Sequence, residues 1–170
     1  MPGMHPRWFY DEVVTPNVYA QDARPDDMRA VVNAVLTLDA LVGLLHSYLR
    51  LLDRPEVTGL SDDDYRERLG QQCPGYAALR DAAATLKHGE LTHPRKKRPP
   101  RLIRTTGSIQ STELVLELLR VDDEIGGHVA VLCLENGQDA VRVDDAIMAT
   151  CRMLLPVLNN LPKPEALPTA

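Results

Sequence analysis

One long apolar helix constrains this chain more than any other feature of its sequence. Apolar residues recur at three- and four-residue steps from Met28 to Leu52, which is the spacing of a helix with one buried face. Further apolar side chains widen this face until only a narrow polar strip is left: Leu41, Leu44, Tyr48 and Leu51. A helix of this kind lies at the centre of a bundle or between two subunits. We therefore expect a central or shared helix over about 27–52.

Three further helices are predicted from residues that begin helices. Ser61 followed by three aspartates predicts a short polar helix to about residue 72, and Pro74 predicts a third helix over 74–88. Asp144 and Asp145 predict the start of a last helix, which Pro156 kinks or ends.

Between the third and the last helix the spacing of apolar residues changes from helical to strand-like. Asn136-Gly137 is the strongest short signal for a hairpin turn. Three short runs around it predict an antiparallel three-stranded meander: 113–118, 128–134 and 140–143. The stretch 111–120 also fits a helix.

These elements predict a mainly α fold of the α+β type, in one domain over 25–161. Its core is a four-helix bundle, with the β-meander inserted at about 109–143 before the last helix. Residues 1–24 hold three prolines and no sustained helical spacing, which predicts an extended arm, and 162–170 predicts a frayed tail. A chain of 170 residues is long enough to bury a core without a metal or disulfide.

The sequence gives no sign of export, a membrane span or a disulfide framework. Polar residues interrupt the most apolar stretch, and Trp8-Phe9-Tyr10 stand where a secretory signal would have aliphatic residues. The three cysteines form no CxxC pair. We expect a cytoplasmic protein that does not bind membranes.

A run of positive charge crosses an otherwise acidic chain. Six of the 19 Lys and Arg residues lie in this basic strap, which leaves 13 against 24 acidic residues elsewhere: Arg95, Lys96, Lys97, Arg98, Arg101 and Arg104. Such a strap contacts phosphates, or it docks on the acidic surface of its own chain or of a second subunit. Docking is the favoured interpretation, because the surrounding negative charge repels nucleic acid and few aromatic residues are available to stack on bases.

Two helices carry polar residues on otherwise apolar or alanine-rich faces. On the helix 74–88, Asp81, Thr85 and His88 share one side with flanking alanines, so another element is expected to pack there over a buried polar ladder. On the first long helix, Asp39 and His46 lie seven residues apart. A buried carboxylate needs a donor, and His46, His88 or a second subunit are the candidates for Asp39.

Metal and cofactor sites are not predicted. His88 and His93 lie five residues apart, but the HExxH order is absent and Gly89 interrupts the helix that such a site needs. The sequence also lacks the glycine-rich phosphate loops and the GxSxG nucleophile elbow.

Several short segments resemble a group of uncharacterised bacterial proteins whose core is similar to HEPN helical domains. They are Val14-Thr15-Pro16-Asn17, the stretch from Pro25 to Ala34, and Arg80-Asp81 through Lys87-His88, followed by a hairpin and a closing amphipathic helix. The resemblance implies a helical bundle that is often dimeric. It also implies a metal-independent ribonuclease site built by two protomers from an Arg, a polar residue, three to five others and a His.

In this sequence seven residues lie between Arg80 and His88, and this spacing is longer than that motif allows. The first hypothesis is therefore a non-enzymatic interaction module, dimeric through the helix 27–52, with a protein partner. The alternative is a HEPN-type ribonuclease, in which Arg80 contacts the scissile phosphate of RNA and His88 serves in acid–base chemistry. A third, weaker alternative is a nucleic-acid-binding protein that uses the basic strap.

Overall fold

A computed structural model describes residues 4–92, 99–114, 118–121, 123, 126–135 and 139–162. Within them the chain is mainly helical and carries one three-stranded antiparallel sheet. The α-helices are α1 (Pro6–Phe9), α2 (Thr15–Asp22), α3 (Met28–Leu51), α4 (Asp62–Gln72), α5 (Pro74–His88) and α6 (Val143–Asn159). A π-helical turn (Tyr10–Val14) joins α1 to α2, and short 3-10 turns cover Pro55–Val57 and Thr106–Ser108.

The central helix α3 is the helix expected from the apolar pattern. Asp27 caps it by accepting from the backbone N–H groups of Arg29 and Ala30, and the chain turns away after Leu51, ahead of Pro55. The α3 helix packs against α1, α2, α4, α5 and α6, and most of its apolar residues are fully buried. Among the described residues, α3 alone is long and apolar enough to cross a membrane, and 50% of its most apolar window is buried inside the protein.

The N-terminal arm is helical, so the prediction of an extended segment over 1–24 is wrong for its described part. Pro6 and Pro16 lie in the first turns of α1 and α2, where the missing proline N–H costs no hydrogen bond. The His5 side chain caps α1. Val14 and Gln21 are buried as this arm packs on α3. The prolines therefore begin helices here instead of preventing them.

The sheet has the order β1-β2-β3, with β1 (Ile109–Glu113), β2 (His128–Cys133) and β3 (Ala140–Arg142). Ile109 pairs with Leu132, and Val131 pairs with Arg142. The central strand is β2, and α6 packs on it. A backbone hydrogen bond connects the sheet to the segment between α2 and α3, because the Ala130 N–H donates to the Pro25 carbonyl at 2.9 Å.

The first strand lies earlier than its prediction over 113–118, because β1 ends at Glu113. Only Ile109 of this edge strand is buried, so its sequence shows little apolar alternation. Residues 115–117 of the stretch 111–120, which also fits a helix, lie outside the described residues. The predicted turn Asn136-Gly137 and the tail from 163 lie outside them too. Pro156 lies inside α6, which continues to Asn159 and does not end at the proline.

Candidate functional site

The buried carboxylate of Asp39 has two basic partners. Asp39 is 6% exposed, and its two oxygens accept from Nη1 of Arg66 on α4 and from Nζ of Lys87 on α5. The same Arg66 nitrogen donates to the Asp39 backbone carbonyl at 3.1 Å. Neither His46 nor His88 is the donor to Asp39. This Asp39 cluster therefore ties α3, α4 and α5 together within one chain.

Gly43, one turn after Asp39, makes room for Arg66. A Cβ at Gly43 would lie 2.6 Å from Nη2 of Arg66, so any other residue would push the guanidinium aside. Arg66 Nε also donates to Asp62 at 2.7 Å. Burial by itself would lower the pKa of Arg66, but Tyr76, Asp39 and Asp62 raise it above its ordinary value. Arg66 is therefore a fixed cation between two helices.

His46 lies in a neighbouring contact and does not meet Asp39. Its Nε2 is 3.1 Å from the Leu60 carbonyl oxygen, and its Nδ1 is 3.8 Å from Oδ1 of Asp62. The imidazole also packs on the Tyr65 ring, with 5.4 Å between the ring centroids. Burial raises the pKa of Tyr65 to about 12. The two residues predicted as a pair on the first long helix thus serve separate contacts.

Asp81 on α5 is fully buried and holds the end of the basic strap. Its Oδ1 accepts from Arg80 at 3.2 Å and from Arg101 at 3.3 Å, and its Oδ2 accepts from the Leu102 N–H at 2.7 Å. Arg80 in turn donates to Glu67 at 3.1 Å. In this Asp81 cluster, the described end of the strap docks on its own chain, and the expected packing on the alanine-rich face of α5 is seen.

The polar ladder predicted along α5 does not form. The Thr85 hydroxyl is buried but donates to the Ala82 carbonyl of its own helix at 2.8 Å. His88 is exposed at the last residue of α5. Eight residues of continuous helix place the Cα atoms of Arg80 and His88 about 12 Å apart along the axis. Asp39, His46, Asp81 and His88 therefore do not converge on one site.

The other strap residues divide between described and undescribed positions. Arg104 is exposed, and it donates to the carbonyls of Leu91 and Thr92 at 3.3 and 3.4 Å. The Leu91 N–H donates to the Arg104 carbonyl at 2.8 Å, which closes the base of the loop, and Ile103 is fully buried. Four of the phosphate-contact candidates lie outside the described residues: Arg95, Lys96, Lys97 and Arg98.

A third ion-paired cluster, around Arg142, was not predicted from the sequence. Arg142 is 6% exposed and donates to Asp144 at 2.7 Å and to Asp123 at 2.5 Å. Arg120 also pairs with Asp144 and with Asp145. The hydrogen bond to Asp144, opposed by burial and helped by Asp123, raises the pKa of Arg142. The sequence feature that could have indicated this cluster is Arg142, a basic residue directly before the helix that carries Asp144 and Asp145 in its first turn.

Beside this cluster lies a solvent-open groove between α2 and α6, of about 730 Å³. We call it the α2–α6 groove; it is lined by Val18, Tyr19, Gln21, Asp22, Arg120, Asp144, Asp145, Ile147, Met148, Ala149 and Arg152. Sequence analysis missed it because it depends on the N-terminal segment being helical. A helix predicted over 15–22 would have indicated this groove, because Tyr19 and Met148 are exposed and both line it.

No group of three His, Cys, Asp or Glu side chains within the described ranges is placed to hold a metal ion. Comparisons with protein-family models, with curated proteins and with solved structures found no match to the chain.

Proposed function

We propose that this protein is a non-enzymatic interaction module of HEPN-like architecture that forms a homodimer through α3. The observation that carries this proposal is a stripe of uncharged side chains on the outer face of α3. This α3 stripe consists of Asn33, Thr37, Ala40, Leu44, Ser47 and Leu51, none of which is buried. It extends for about 27 Å along the helix axis.

The spacing and size of these residues suit a second helix. They recur in steps of four, three, four, three and four residues, which is the spacing of a coiled-coil seam. Small side chains such as Ala40 and Ser47 allow two helices to approach closely, and Leu51 is 62% exposed. A two-fold axis across this face would bring the stripe of one copy against the same stripe of another.

The charged residues of the candidate site support a structural role over a catalytic one. The Arg80 side chain is 10% exposed and is held by Glu67 and Asp81, so its guanidinium is already engaged. A phosphate would have to compete with two carboxylates for it. His88 lies on the surface about 12 Å further along the axis of α5. In this proposal Arg80 stabilises the fold through its ion pairs, and His88 is a solvent-exposed surface residue.

The dimer is tested by placing a charge on the stripe. Ala40→Glu and Ser47→Glu each place two unpaired carboxylates in the seam, one from each copy, and we expect each to weaken dimerisation at least about tenfold. Gln71→Glu, on the exposed face of α4, is the matched control. Sedimentation velocity across a concentration series measures the dissociation constant. Val42 and Leu45 are unsuitable positions, because both are fully buried within one chain.

A monomeric wild type at high concentration, or equal dissociation constants for the stripe variants and the control, would contradict the dimer. The non-enzymatic part is tested with a mixed pool of single-stranded RNA and tRNA in EDTA at low salt. We expect no cleavage by the wild type or by His88→Ala. Cleavage by the wild type that His88→Ala abolishes would replace this proposal with the ribonuclease alternative.

A further inference from the structure

We propose that the two α3 helices of the homodimer run antiparallel, so that Arg29 of each copy forms an ion pair with the partner's Asp53. This inference rests on the proposed function, because it gives the arrangement of the second copy on the α3 stripe. A homodimer allows two arrangements of α3. A two-fold axis along the helix makes the pair parallel, and one across the helix makes it antiparallel. The sizes and charges of the described residues favour the second.

The side chains of the α3 stripe pack more evenly when the helices are antiparallel. With the two-fold axis midway between positions 40 and 44, Ala40 faces the partner's Leu44, and Thr37 faces the partner's Ser47. Both central layers then hold one small and one large side chain. In a parallel pair, two alanines meet in one layer and two leucines in the next, so the helices are loosely packed at Ala40 and crowded at Leu44.

The polar residues of the stripe fit this pairing. The Thr37 hydroxyl donates to the Asn33 carbonyl of its own helix at 2.7 Å, so burying Thr37 in the seam leaves no donor unpaired. Asn33 faces the partner's Leu51 in the outermost layer, where both residues are exposed and the amide keeps its contact with water. Neither polar side chain therefore loses a hydrogen bond when the two copies associate.

The exposed charges at the two ends of α3 are complementary across an antiparallel pair. The Arg29 side chain, at the start of α3, is 77% exposed and lies 3.9 Å from Asp27. Asp53 is exposed two residues after the end of α3. The axis between positions 40 and 44 places Arg29 about one helical turn beyond the partner's Leu51. The chain leaves α3 through Asp53 near this level, so the partner's carboxylate is within reach of the long arginine side chain.

A parallel pair offers Arg29 no such partner. A two-fold axis along α3 brings opposite flanks of the two helices together, as in a parallel coiled coil. The flank that Arg29 would then meet consists of Ala34, Leu41 and Tyr48, which are uncharged and buried within their own chain. The antiparallel pair also places the positive N-terminal end of each helix dipole beside the negative C-terminal end of the other.

Disulfide cross-linking distinguishes the two arrangements. Thr37→Cys and Ser47→Cys are prepared as separate proteins in a Cys133→Ser background, because Cys133 is the native cysteine that is not buried. A disulfide needs Cα atoms about 4.4–6.8 Å apart. In the antiparallel dimer, the two copies of either position lie about 15 Å apart along the axis, whereas 37 and 47 face each other. We therefore expect covalent dimers after oxidation of the equimolar mixture and not after oxidation of either protein alone.

Covalent dimers from either protein alone would show that the helices are parallel. Sedimentation of the same samples before oxidation separates this inference from the proposed function. A dimer that forms no cross-link in any sample would place the interface elsewhere and overturn both. A dimer that cross-links only in the single proteins would overturn the antiparallel arrangement and keep the α3 interface.

The ion pair is tested by a double-mutant cycle on the dissociation constant of the dimer. Arg29→Gln and Asp53→Asn each remove one charge, and asparagine tolerates the positive φ of 51° at position 53. We expect each variant to raise the dissociation constant about threefold, and the double variant to be no weaker than either. Effects that add in the double variant, or no effect at either position, would contradict the pair.

Discussion

The layer between α3, α4 and α5 and the α2–α6 groove both contain buried polar groups, but they differ in whether those groups have partners. In the layer, Asp39 is held by Arg66 and Lys87, and Asp81 by two arginines and a backbone N–H. In the groove, the buried Gln21 nitrogen has no partner within the described part of the chain. The carboxylates of Asp39 and Asp81 are thus paired, although Oδ1 of Asp62 and Nε of Arg101 beside them have no described hydrogen-bond partner.

This difference separates the ion pairs that stabilise the fold from a buried amide whose nitrogen has no described partner. Asp39 and Asp81 are candidate functional residues in the sequence because buried charge is unusual. In the layer, however, each of these carboxylates is paired with donors from other elements of its own chain. A buried ion pair that is fully satisfied has no further need of a ligand. An uncharged amide is less conspicuous in a sequence, and the Gln21 nitrogen is one of the buried polar atoms without a described partner.

The largest effect is expected at Asp81. Asp81→Asn keeps the shape but removes the buried charge that Arg80 and Arg101 share, so that Arg80 keeps only Glu67 and Arg101 loses its carboxylate partner among the described residues. We expect a loss of about 3 kcal/mol in the free energy of unfolding, measured by urea denaturation. Asp22→Asn, at an exposed residue of α2, is the control and should change stability by less than about 0.5 kcal/mol. Equal effects at the two positions would break the contrast between layer and groove.

A smaller effect on stability is expected at Gly43, and its sign should depend on whether Arg66 is present. In the wild type, Gly43→Ala forces the Arg66 guanidinium away from Asp39, and we expect a loss of about 1 kcal/mol. In an Arg66→Met background that conflict is gone, and alanine should stabilise the helix by about 0.5–1 kcal/mol relative to glycine. Thermal and urea unfolding of the four proteins measure this cycle. The same sign in both backgrounds would show that Arg66 does not depend on Gly43.

The sequence predicted what depends on neighbouring residues and missed what depends on distant ones. The start of α4 follows from Ser61, whose hydroxyl accepts from the Asp64 N–H at 3.1 Å. The two partners of Asp39, Arg66 and Lys87, are 27 and 48 residues away on other helices, and no local pattern selects them over the other basic residues. The helical N-terminal segment could not be predicted from its prolines, because Pro6 and Pro16 are compatible both with an extended arm and with the first turn of a helix. The α2–α6 groove depends on that segment being helical.

The smallest effect is expected at the edge of the groove, where Asp123 meets Arg142. The hydrogen bond from Arg142, opposed by slight burial and helped by the Arg120 N–H, holds the pKa of Asp123 below its ordinary value of 3.8. A carboxyl group with a lowered pKa in the folded state stabilises the protein above its unfolded pKa, and this contribution is lost as the pH falls through the folded value. Asp144 and Arg120 also face this pair.

We therefore expect Asp123→Asn to lower the melting temperature most at neutral pH, with the difference from the wild type shrinking as the pH falls below about 4. Melting curves of both proteins from pH 7 to pH 3 measure this convergence. Asp22→Asn, at an exposed residue of α2, is the control variant measured over the same pH range. A constant difference for Asp123→Asn would mean that the side chain acts through packing and not through its charge. Convergence would show that the Asp123–Arg142 pair beside the groove stabilises the fold through its charge, as the ion pairs of the layer do.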